Sequence, residues 1–114
     1  PYGAPAESLR RFDPATLRLR ENYRPAAGVP GREGIAAYYA ACHAVDEQVG
    51  RLMGELEQRG LVEDTCVFFF SDHGDMLGSH GLRLKRKPNE ESIRVPGIIH
   101  YPRAIRSGRS EDAL

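Results

Sequence analysis

Ile35, Tyr38, Cys42, Val45, Val49, Leu52 and Leu56 recur at alternating steps of three and four along residues 32–59, which places them on one face of a single long helix. Gly60 supplies its stop. At about 1.5 Å per residue this helix runs on the order of 40 Å, whereas a compact globule of the same 114 residues has a radius of gyration of only about 13 Å. The helix therefore suits a larger body than this chain can build alone. Gly50 and Gly54 each cost roughly 1 kcal/mol against alanine in a helix interior, so their presence predicts close packing against another element. The chain also starts without an initiator Met and ends abruptly, and the expectation is an excised piece of a longer protein.

Around the helix the elements are short. Residues 1–31 hold Pro1, Pro5, Pro14, Pro25 and Pro30 of the eight prolines, which predicts an extended, irregular segment with a helical turn at Ser8–Arg11 or Ala15–Arg20. Cys66–Phe70 is an apolar run without polar alternation, as in a strand buried on both faces of a parallel sheet. A polar, glycine-rich loop spans residues 72–88. A helical turn is expected at Asn89–Arg94, a second strand at Gly97–Tyr101 and a solvated tail over residues 103–114. Helix, strand, long loop, short helix and strand make an α/β class, with a connection long enough to return a parallel strand. No internal repeat is present.

Composition removes several classes. The 16 basic residues match the 16 acidic ones for a formal net charge of zero, so the chain carries no general footprint for nucleic acid or an anionic membrane. No apolar run approaches the roughly 18 residues that span a bilayer, and no secretory pattern opens the chain. Cys42 and Cys66 lack any Cys-x-x-Cys spacing and read as buried thiols. Frequent Arg and Ala suggest a bacterial source, while the compartment, cytoplasmic or periplasmic, stays open because a targeting signal could lie before Pro1.

In open α/β sheets ligands gather beyond the carboxyl ends of the strands, which directs attention to Ser71-Asp72-His73-Gly74-Asp75-Met76-Leu77-Gly78-Ser79-His80-Gly81. Adjacent strand residues face opposite ways, so Asp72 and His73 can share one ion only where the backbone bends, and Gly74 permits that bend. A carboxylate with a neutral imidazole suits Mn²⁺, Zn²⁺ or Ca²⁺, although two ligands are an incomplete shell. Isolated Asp-His-Gly is by default a turn with an Asx hydrogen bond. Here a buried strand would end directly before it, three glycines let backbone approach a ligand, and Asp75, His80 and Lys85 add polar groups. Lys85 and Lys87 are the only lysines among arginines. An ammonium can serve as a point charge on one oxygen of a tetrahedral oxyanion, or simply be solvated.

This stretch, continued by Lys85 and Glu90-Glu91-Ser92-Ile93-Arg94-Val95-Pro96, resembles the sulfatase family of the alkaline phosphatase superfamily. The helix agrees through Tyr38-Tyr39-Ala40, Val45-Asp46 and Val49-Gly50, and Leu56-Glu57 with Gly60-Leu61 leads into the same strand. The likeness covers residues 32–102, with a weaker echo at Phe12-Asp13-Pro14 and Glu21-Asn22. It implies a fragment of an alkaline phosphatase-like α/β sandwich, divided into an extended segment 1–31, a partial catalytic domain 32–102 and a tail or connection 103–114.

By this resemblance Asp72 and His73 are metal ligands, and Lys85 is a catalytic and substrate-binding contact to sulfate or phosphate. His80 either organises the loop or contacts substrate, while His43, His100 and Asp46 are structural. One divalent ion is implied, Ca²⁺ or Mn²⁺ foremost. The family nucleophile, a formylglycine made within Cys/Ser-x-Pro-x-Arg, matches neither Cys42-His43-Ala44 nor Cys66-Val67-Phe68, so it is expected upstream. Asn89 and Gly97 depart from the family's usual aromatic and aliphatic residues, which bears on loop packing and substrate fit. The implied function is hydrolysis of a small-molecule or glycan sulfate ester by the longer parent. The rest of its own catalytic domain is the partner, and nucleic acid and membrane are not. A phosphodiester or phosphonate monoester hydrolase of the same superfamily, and an inactive fragment or pseudoenzyme serving as a binding module, are the alternatives.

Overall fold

A computed structural model describes residues 2–108 and 110; the remaining positions of the expected tail lie outside the described residues. The order is α1 (Ala6–Leu9), α2 (Arg32–Gln58), a 3₁₀ turn at Val62–Asp64, β1 (Val67–Phe70), α3 (Glu90–Ile93) and β2 (Gly97–His100). The first helical turn falls slightly ahead of its expected place. Residues 13–16 form only a turn, closed by Thr16 N–H on the Asp13 carbonyl at 3.2 Å.

The long helix is present, 27 residues from Arg32 to Gln58. Gly60, at φ +66°, ends it in a Schellman arrangement: Leu61 N–H donates to the Leu56 carbonyl at 2.9 Å and Gly60 N–H to that of Glu57 at 3.0 Å, which satisfies two of the open carbonyls. Arg32 at the other end ties the helix to the preceding segment, donating to the carbonyls of Leu17 at 2.7 Å and Pro14 at 3.1 Å. Aromatic contacts reinforce this end. Tyr2 meets Tyr38 edge to face at 5.1 Å between ring centroids, and Phe12 lies 6.0 Å from Tyr39.

Burial concentrates where the loop after β1 meets this half of α2. Ile35, Ala36 and Ala40 are buried there, as are Met76 and Leu77 of the loop, and Leu77 shares one small void with Ile35, Tyr39, Leu19 and Tyr23. Farther along the predicted helical stripe cover is thinner: Val45 and Leu52 are 52% and 56% exposed, and Tyr38, Val49 and Leu56 are half-buried. Gly50 and Gly54 face open space, so the close packing expected of them is not made by the described residues. Both cysteines are free and exposed rather than buried, because no described element covers their positions.

The two strands form a two-stranded sheet, but they run antiparallel, with Val67 opposite His100 and Phe70 opposite Gly97. The parallel return expected from the length of the connection is thereby corrected. Gly74 N–H donates to the Ser92 carbonyl at 2.8 Å, pinning the two limbs of the connection together beside the strand ends, so the chain re-enters the sheet at the end it left. A parallel crossover would have to travel the strand length first. One antiparallel strand remains compatible with an α/β class, since such strands commonly edge largely parallel sheets.

Nor is β1 buried in this chain. Phe68 and Phe70 stand on one face, 57% and 62% exposed, with Ile99 of β2 beside them. Val67, Phe69, Ile98 and His100 turn the other face toward α2 across an apolar groove of about 880 Å³. The helix and the hairpin are thus two walls without a filling. The radius of gyration is 17.0 Å against about 13 Å for a compact chain. Exposed surface reaches 8817 Å², where a compact monomer of this mass shows about 6,200 Å².

The isolated 114 residues should accordingly bind a hydrophobic dye strongly and self-associate at micromolar concentration. Sedimentation as a dye-silent monomer would contradict the exposed faces described here.

Candidate metal centre

The bend after β1 is built from short-range hydrogen bonds. Ser71 Oγ donates to the His73 carbonyl at 2.8 Å, and His73 N–H donates to Asp72 Oδ1 at 2.9 Å. These turn both side chains to the same side, with His73 Nε2 3.4 Å from Asp72 Oδ2. Gly74 is required by space: a Cβ there would collide with the Glu91 carbonyl of α3.

His73 Nδ1 lies 2.8 Å from the Gly74 carbonyl. A carbonyl only accepts, so this bond places a proton on Nδ1, and the Lys85 donor beside Nε2 makes that nitrogen the acceptor, the arrangement of a metal-binding imidazole held by a backbone carbonyl. Lys85 Nζ lies 2.5 Å from that same Nε2. The structure therefore brings Asp72, His73 and Lys85 together. Two electron-pair donors, Oδ2 and Nε2, face one another, and a positive charge is what makes that arrangement favourable. The donor set fits a hard or borderline divalent cation. It is a partial set, because among the described residues no group of three or more His, Cys, Asp or Glu is arranged to hold a metal.

His80 occupies a different position. Its backbone, at φ +56°, donates N–H to the Asn22 carbonyl at 2.8 Å, and its Nε2 lies 3.2 Å from Asn22 Nδ2 and 3.8 Å from Glu91 Oε1. Asn22 Nδ2 in turn donates to Glu91 Oε1 at 2.7 Å. These contacts join segment 1–31, the loop and α3 at one point. Sequence reasoning did not single out Asn22 or Glu91 as members of this network, because their partners lie far off along the chain. The neighbouring Ser79 is buried and accepts from Arg20 Nη1 at 3.1 Å.

Glu91 is held below the ordinary carboxyl pKa, first by its own backbone N–H and then by the Asn22 amide, with smaller help from the Ser79 hydroxyl and the His80 charge, against the opposing effect of burial. Of the histidines read as structural, His43 has a buried Nδ1 with no hydrogen-bond partner, since Glu47 Oε2 at 3.5 Å is not aligned to bond it. His100 and the exposed Asp46 line the apolar groove.

With this geometry in hand, the comparisons with known proteins are decisive for family. A family model described as Sulfatase matches residues 4–114, and the chain belongs to the sulfatase family. It is 40% identical over 105 residues to an ulvan-active sulfatase of Formosa agariphila, covering 90% of this chain and 20% of that protein. It is 44% identical over 77 residues to an N-acetylglucosamine-6-O-sulfatase of Bacteroides thetaiotaomicron, covering 68% and 14%. A solved structure of a protein in complex with its substrate D-glucosamine-2-N,6-O-disulfate superposes with TM-score 0.64 at 43% identity, over 68% of this chain and 16% of that one. The chain thus spans about a fifth or less of the length of these curated relatives. The alkaline phosphatase-like α/β fold is shared with a glycosaminoglycan-metabolism sulfatase structure of Bacteroides thetaiotaomicron, at TM-score 0.80, 26% identity and coverage of 90% of this chain and 22% of that one.

Two outcomes follow for the full-length protein. Gly74→Ala should cost about 1–3 kcal/mol through the forced shift against backbone, read from urea unfolding. A depressed Glu91 pKa stabilises the fold above the unfolded-state value, and that contribution is lost as pH falls through the folded value. Glu91→Gln should therefore flatten the acid limb of the urea midpoint plotted against pH.

Proposed function

We propose that the full-length protein hydrolyses sulfate esters, glycan esters foremost, and that residues 32–102 supply its metal-loop ligands and an oxyanion-binding lysine. The observation that carries this reading is the convergence of Asp72 Oδ2, His73 Nε2 and Lys85 Nζ at the carboxyl end of β1 in a chain of the sulfatase family. Relatives whose names specify ulvan or N-acetylglucosamine-6-O-sulfate support a glycan substrate.

Asp72 and His73 would hold one divalent ion, Ca²⁺ or Mn²⁺, which supplies charge against the ester oxygens when bound. The formylglycine nucleophile general to the family is expected in a part of the protein outside these residues. Asp72 contributes an exposed carboxylate and His73 a ring oriented by the Gly74 carbonyl. Lys85 donates to His73 Nε2 here; with substrate present it turns its ammonium to a non-bridging oxygen, where negative charge grows in the transition state. His80, engaged with Asn22 and Glu91, shapes the loop that carries Lys85. No helix among the described residues is long and apolar enough to cross a membrane.

The test uses purified full-length protein on an aryl sulfate and a matched phosphodiester. Asp72→Ala and His73→Ala should lower both bound metal and turnover. Lys85→Ala should lower kcat by about 10²- to 10³-fold with metal retained. Preference for the phosphodiester would move the assignment to the phosphoryl branch of the superfamily, and unimpaired turnover in all three variants would remove it.

A further inference from the structure

Asp75 lies two residues beyond His73 and takes no part in the group just described. Its carboxylate nevertheless collects three hydrogen bonds. Oδ1 accepts from Leu77 N–H at 2.9 Å and from Leu84 N–H at 3.1 Å, and Oδ2 accepts from the Tyr2 hydroxyl at 2.8 Å. The bond to Leu77 is a local Asx turn. The bond to Leu84 is of another kind, because it crosses from the limb that carries His73 to the limb that carries Lys85, and Leu84 directly precedes Lys85. Met76 N–H adds the neighbouring rung to the Leu84 carbonyl at 2.9 Å.

Backbone conformation shows why the returning limb needs such a hold. Leu84 and Arg86, on either side of Lys85, have φ +62° and +74°, and Leu77 has φ +44°. Residues with a side chain adopt this region at a cost, so local preference would not place Lys85 where it stands. Both amides that Asp75 Oδ1 receives belong to these left-handed residues. An ionised carboxylate is acceptor-only and can take all three donors. Burial, with the Asp75 hydrogen bond and charge, pushes the Tyr2 phenol above its ordinary pKa, so the hydroxyl keeps its proton and remains a donor. Through its ring on Tyr38, Tyr2 connects the carboxylate to α2.

We infer that Asp75 is a positioning residue for the reaction: it clamps the two limbs of the loop so that the Lys85 ammonium meets His73, and it acts on turnover through Lys85 alone. This rests on the role proposed for Lys85 above. Asp75 touches neither ion nor ester, and its effect should disappear when the lysine is gone.

In full-length protein assayed on an aryl sulfate, Asp75→Ala should lower kcat by about 10²-fold, as a displacement near 1 Å does, with bound metal per folded protein unchanged. Asp75→Asn, which keeps an acceptor oxygen for the two amides, should recover activity to within about tenfold of wild type. In a Lys85→Ala background, adding Asp75→Ala should cost no more than about threefold further. A full second loss in the double variant would overturn the inference, since a merely structural role is additive with removal of the lysine. Should Asp75→Ala fail to fold, Tyr2→Phe, which removes one of the three bonds, takes its place in the same cycle, with a smaller loss that again vanishes without Lys85. If wild type hydrolyses neither ester, the hydrolase reading fails by itself, and the clamp is decided by acylation of Lys85 followed by mass spectrometry. Faster labelling in Asp75→Ala supports it, and a rate equal to wild type overturns it.

Discussion

Two lone pairs turned toward one another, on Asp72 Oδ2 and His73 Nε2 at 3.4 Å, form the constraint around which the rest of the loop is organised. Such a pair is unfavourable without positive charge beside it. The Lys85 ammonium supplies that charge in this structure, and in the proposed function a divalent ion would supply it to the same donors. Three contacts around Gly74 hold the pair in place. The Gly74 carbonyl orients the imidazole, the missing Cβ of Gly74 lets α3 approach, and the Ser92 carbonyl anchors the Gly74 amide.

The support for this loop comes from the first 31 residues as much as from the helix. Tyr2 reaches Asp75, Asn22 reaches His80 and Glu91, Arg20 reaches Ser79, and Arg24 N–H meets the Gly78 carbonyl at 2.9 Å. A proline-rich segment whose regular structure is limited to the single turn of α1 thus acts as a belt around the loop, tied to α2 by aromatic contacts and by Arg32. The buried residues Met76, Leu77, Ser79 and Ser92 belong to this tied region. In contrast, the far half of α2 and both faces of the hairpin are left open, and an apolar groove separates them. That pattern agrees with a chain that spans a small share of its relatives and carries only part of a larger sheet.

Sequence alone made the long helix legible, because seven apolar residues at helical spacing and one glycine stop leave no competing period. It also exposed the strand from its phenylalanines, the loop from its glycines, and the candidate ligands from an Asp-His-Gly at a strand's end. Strand direction was not legible, since connection length permits either sense; a hydrogen bond between Gly74 and Ser92 selected the antiparallel one. Burial was misjudged at Cys42, Cys66 and the phenylalanine strand for a related reason. Hydrophobicity records what a residue would cover if a partner were present, and none of the described residues covers these positions.

Residue type and spacing, then, determined the elements, the family and the candidate cation-binding pair Asp72-His73, because these depend on residues within a few positions of one another. Only the tertiary structure decided that Lys85 meets His73, that Asp75 joins the two limbs, and that Asn22 and Tyr2 reach into the loop. Those contacts link positions from about ten to more than seventy residues apart, and no local preference of the chain encodes which distant donor a given carboxylate will accept from.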